Sequence, residues 1–162
     1  MEDDNEIDFD FEGAYNELRV EYGLPDFVKL GEDFDIEKIA DKESEFLVRE
    51  IRRTINEKLS AYLHLFETLI NPSAPPMFIF SILRGMGESD KEIVRDVYKK
   101  LSKLQIEVMK LDTVYSEKDE SEFVVAAFNE WQNLKGIVFK IFEGFEENLE
   151  QDNGAKKSAY FG

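Results

Sequence analysis

Glu117-x-x-Glu120 and Glu143-x-x-Glu146 are the residues best suited to chemistry in this 162-residue chain. Carboxylates three apart share one face of a helix. Two such pairs on facing helices would hold Mg²⁺, which takes oxygen ligands. The hydrophobic spacing, however, predicts a single helix over about 120–149, which sets Glu120 and Glu143 about 35 Å apart. Ligands of one Mg²⁺ must lie within about 2.1 Å of it. Only a sharp break near Gly136 would bring them together, so these acids are expected to be solvated groups at polar helix ends.

Other chemistry is thinner. The single His64 stands in "SAYLHLFET", whereas a di-iron bundle needs two Glu-x-x-His pairs and two further carboxylates. There is no Cys, hence no thiolate ligand or nucleophile, and no Gly-x-Ser-x-Gly turn for a hydrolase. "RGMGESDKE" has two glycines before a helix start, but a phosphate loop needs Gly-x-x-x-x-Gly-Lys-Ser/Thr after a strand. Ser89-x-x-Glu92 reads instead as a capping box. No catalytic residue, cofactor or metal is expected.

Two kinds of residue point to binding. Arg49, Arg52 and Arg53 fall at i, i+3 and i+4 and share a helix face. They suit an acidic segment, either the N-terminal arm of the same chain or a partner's. Lys99, Lys100 and Lys103, with Arg95, form a second basic strip. Aromatics at the ends and at one corner form the other kind: Phe9 and Phe11 among acids, Tyr160 and Phe161 at the C-terminus, and Phe78 and Phe80 within "MFIFSIL".

The elements that position these residues are read from apolar spacing. Val94, Val97, Leu101, Leu104, Val108, Leu111 and Tyr115 recur at alternating steps of three and four. So do Val124, Ala127, Trp131, Leu134, Val138, Ile141 and Phe145, and Val48, Ile51, Ile55, Lys58, Tyr62, Leu65 and Leu69. Each stripe covers three heptads, about 32 Å of helix. Lys58 is the one flaw, and the adjacent Leu59 fills that layer. Three stripes of equal length with short connections predict an all-α bundle of three long antiparallel helices, about 44–70, 89–115 and 120–149. Short helices are expected near 13–22, where Gly23 stops the chain, and near 73–84, with Ser73 as cap and Pro75 and Pro76 in the first turn. The segment 24–34, broken by Pro25 and Gly31, is expected to be mostly irregular. The domain plan is an acidic disordered arm over 1–11, one helical domain over 12–150 and a flexible tail over 151–162.

The formal net charge is −16, and residues 1–35 hold 13 of the 36 acids against two bases. Such a field disfavours nucleic acid and anionic membrane as partners and favours a basic protein. No apolar run reaches the roughly 18 residues of a membrane span. The N-terminus lacks the basic and apolar regions of a signal peptide, and a cytoplasmic setting is expected. Three functions follow. The leading one is a non-enzymatic protein that acts through another protein, as adaptor or complex subunit, or through self-association at the bundle or corner helix. The second is a Mg²⁺-dependent all-α nucleotide pyrophosphohydrolase-like enzyme using the clustered Glu. The third is an acidic mimic of nucleic acid.

Overall fold

A computed structural model of the chain describes residues 9–159, with side chains as far as 154. The fold is an all-α bundle, and the described residues include no strand. The helices are α1 (Phe11–Tyr22), α2 (Phe27–Phe34), α3 (Leu47–Ile70), α4 (Met77–Gly85), α5 (Glu88–Leu111) and α6 (Glu117–Ala159), with a 3₁₀ turn at Ile36–Ile39. No described helix is long and apolar enough to cross a membrane.

The contacts separate two compact units, Met1–Lys58 with Ile106–Asn129, and Leu59–Gln105 with Glu130–Gly162. In the first, Val48, Ile51, Ile55, Val108, Val124 and Ala127 are buried, as the stripes require. Lys58 leaves the apolar layer by turning its ammonium to the Asp33 carbonyl and the Phe34 ring. In the second unit Leu59, Leu69, Val94, Leu101, Leu134 and Val138 are buried. There Trp131 stacks on Tyr62 at 5.2 Å between ring centroids, and Phe142 approaches the same tyrosine at 5.9 Å. Within this unit Ser60 bonds Gln105 while Leu69 and Val94 line one depression, and Lys100 pairs with Glu130 while Val94 and Phe145 line another. α5 therefore runs antiparallel to both α3 and α6.

The helix ends depart from the expected ones for local reasons. α1 starts at Phe11 because the Asp10 carboxylate accepts from the Gly13 N–H at 2.8 Å, a cap stronger than the Gly13 signal. Phe11 is therefore the first residue of a helix, not the last of an arm. Gly23, at φ 67°, ends α1 as expected. The segment expected to be irregular holds α2: Asp26 caps it, and Leu30 and Phe34 bury its inner face. Gly31 lies inside that helix, where a Cβ would meet the Glu37 carboxylate at 2.2 Å; its role is close packing rather than breaking. α3 starts at Leu47, after a turn in which the Ser44 hydroxyl accepts from the Phe46 N–H.

Pro75 and Pro76 precede α4 rather than fill its first turn, with Pro76 extended at ψ 152° in the cap position and no side-chain cap from Ser73. At α5 the expected capping box is replaced by Asp90, whose carboxylate accepts from the Gly87 N–H at 3.0 Å. α5 closes at Leu111, where the Thr113 N–H and hydroxyl both donate to the Lys110 carbonyl. Ser116 caps α6 by accepting from the Asp119 N–H, which starts that helix before 120. Its far end runs to Ala159 instead of fading after 149, and Asp152 is tied to Ser81 and Arg84.

Candidate interaction surface

The arginine face expected to dock an acidic segment is largely occupied by the chain's own acids. In the first unit Arg49 Nε donates to Glu120 Oε1 and Arg52 Nε to Glu120 Oε2, both at 2.8 Å. Arg52 also donates to Asp112 at 2.7 Å, and Arg49 to the Leu111 carbonyl at 3.2 Å. Glu120 is fully buried and Arg52 is 2% exposed. Burial pulls the Arg52 guanidinium down, but hydrogen bonds to Glu120 and Asp112 outweigh that and hold it above its ordinary value. The Arg49 guanidinium lies 4.7 Å from the centre of the Tyr115 ring. Only Arg53 stays on the surface, paired with Glu50.

This geometry also corrects the expectation for Glu120. It is not a solvated helix-end acid: its carboxylate is the anion that two arginines need. The α6 start supplies the acidic segment, and Glu117 of the same turn accepts from the Tyr22 hydroxyl at 2.9 Å. No cluster of His, Asp and Glu among the described residues is arranged to hold a metal ion.

The corner aromatics lie elsewhere, in the second unit. α4 is fixed to α6 along one side. Ile79 and Ile82 are buried, Ser81 donates to Asp152 at 2.7 Å, and Asn148 donates to the Ile82 carbonyl. Gly85 packs so closely on Asn148 that a Cβ would come within 2.2 Å of it. Large apolar side chains elsewhere on the helix are bare: Met77 is 78% exposed, Phe78 54% and Phe80 45%. A nine-residue helix with six large apolar side chains has more than one face can cover.

The terminal aromatics divide. Phe11 is buried and meets the Phe27 ring at 5.7 Å. Phe9 is half-buried just ahead of α1. Tyr160 and Phe161 lie outside the described residues. The sequence marked Phe78 and Phe80 and missed the Arg52–Glu120 pair; three-residue spacing among arginines was the available signal, but it does not say which acid answers them. Comparison with protein-family models, with curated proteins and with solved structures finds no match to this chain.

Proposed function

We propose that the protein is a non-enzymatic cytoplasmic module that works by binding another protein, with the exposed apolar side chains of α4 as its contact surface. The observation that supports this reading is the pairing of anchored Ile79 and Ile82 with half-exposed Phe78 and Phe80 on one short helix. Aromatic side chains left in water on a rigid element are the kind of anchor that dominates protein interfaces. The polar ties of Ser81, Arg84 and Asn148 hold α4 in place before any partner arrives, which lowers the ordering cost of binding. The net charge of −16 favours a basic partner.

The test is Phe78→Ser with Phe80→Ser in the full chain. A stoichiometric partner cross-linked to the wild type in native extract is expected to be lost from the variant while helicity is kept. Sedimentation velocity of the purified chain separates self-association from binding of another protein. Capture unchanged by the double substitution would count against the reading.

A further inference from the structure

A second surface lies in the same unit. α5 and α6 leave two adjoining depressions of about 450 and 350 Å³ that share Ile93 and Ile137. Together they make a trough lined on α5 from Asp90 to Lys103, about 20 Å of helix, with Met86 just ahead of it. Its floor is apolar. Val94, Val97 and Leu134 are buried, while Ile93 and Ile137 remain 41% and 38% exposed.

Gly144 belongs to the same floor. A Cβ there would touch nothing within 4 Å, and its φ is not in the left-handed region. Glycine inside a helix costs about 0.5–1 kcal/mol relative to alanine, and nothing in the chain's own packing requires it here. Its effect is to leave the α6 backbone open to close approach.

The rim is richer in bases than the molecule as a whole, with four lysines against three acids. Lys99, Lys103 and Lys140 are exposed and have no ion-pair partner among the described residues. Lys100 reaches Glu130 at 3.5 Å. Asp96 lines the same depression as Lys99, Lys100 and Lys103, whereas Lys140 shares the other with Asp90 and Glu147. In a chain with 36 acids and 20 bases, an apolar trough with three lysines gathered at one end and a fourth further along complements an occupant that is apolar on one side and acidic on the other.

We propose that this trough docks an acidic amphipathic helix of a partner protein. About 20 Å accommodates a helix of between about three and four turns, with apolar anchors at i, i+3/i+4 and i+7 on the floor. Its acidic residues lie over Lys99, Lys103 and Lys140. The trough uses different residues from the α4 surface, so the two readings fail separately.

The probe is a fluorescein-labelled synthetic helix of about four turns, with Leu at three- and four-residue spacing and Glu elsewhere, read by anisotropy against the full chain. A matched peptide with Lys in place of Glu is the control. The acidic peptide is expected to bind at least about tenfold more tightly than the control, and less tightly as salt rises. Lys99→Glu with Lys103→Glu, and separately Gly144→Leu, should each weaken it by about tenfold or more. Phe78→Ser with Phe80→Ser should leave it unchanged. Equal binding of the two peptides, binding of neither, or indifference to the lysine substitutions overturns the proposal. So does a dimer that the lysine substitutions dissociate, which would assign the trough to a second copy. A chain lacking residues 1–8 that binds the probe much more tightly than the full chain would assign it to the protein's own N-terminus.

Discussion

Arg52 Nε donates to Glu120 Oε2 at 2.8 Å, with Arg52 only 2% exposed and Glu120 not at all. Charges buried this deeply are tolerated only while each has its partner. Glu120→Gln leaves the Arg52 and Arg49 guanidiniums short of an anion and should cost about 3–5 kcal/mol, measured by urea unfolding. Arg52→Met combined with Glu120→Leu removes both charges and should cost clearly less than the sum of the single changes. A Glu120→Gln protein as stable as the wild type would contradict the assignment of this pair as a structural tie.

The two sides of α4 should answer substitution differently. Ile79→Ala and Ile82→Ala each empty a buried site and should cost about 2–4 kcal/mol. Phe78→Ser and Phe80→Ser act at exposed positions and should stay within about 0.5 kcal/mol of the wild type. Thermal unfolding of the four single variants checks this, and it also shows whether the double phenylalanine variant is a clean probe of binding.

Glycines in this chain should divide by sign. Gly85→Ala drives a Cβ into the Asn148 side chain, whose own Cβ is 2.7 Å away, and should destabilise by about 1–3 kcal/mol. Gly136→Ala and Gly144→Ala meet nothing within 4 Å on α6 and should each stabilise by about 0.5–1 kcal/mol. Denaturant midpoints of the three variants give the signs directly.

Alkaline pH should loosen the protein. The Tyr15 hydroxyl is pushed up chiefly by burial, that of Tyr22 chiefly by its hydrogen bond to the Glu117 carboxylate, and that of Tyr115 chiefly by burial. A folded state that holds these protons more tightly than the unfolded chain keeps the full benefit below pH 10, the ordinary tyrosine value, and loses it progressively above. The melting temperature should therefore fall as pH rises beyond 10. Tyr22→Phe should flatten that fall, and a tyrosinate absorbance titration should show Tyr15, Tyr22 and Tyr115 ionising late.

The long helices were legible because burial imposes a period. Val94, Val97 and Leu101 repeat at the pitch of a helix, and all three are buried. Helix ends were less legible because one polar side chain decides each of them. Asp10 and Ser116 moved two starts and Asp26 made a new one, and nothing in an apolar stripe records whether a carboxylate turns back to a backbone N–H. α2 was missed because Gly31 reads as a breaker until Glu37 is seen lying against it. The exposure of Phe78 and Phe80 followed from counting, since a two-turn helix apolar all round cannot bury every side. Glu120 was hidden by its composition: an acid in an acidic first turn looks solvated, and only the fold reveals two arginines above it.

The aromatic stack of the second unit also gives the protein a built-in optical reporter. Trp131 is the only tryptophan, it is 4% exposed, and it lies against Tyr62. Its emission therefore comes from one environment and registers hydration of that unit alone. Arg52 and Glu120 belong to the other unit. Fluorescence and far-ultraviolet dichroism recorded on the same Glu120→Gln sample would then diverge if the two units melt independently and coincide if they melt as one, so a single native indole measures the cooperativity of the whole chain.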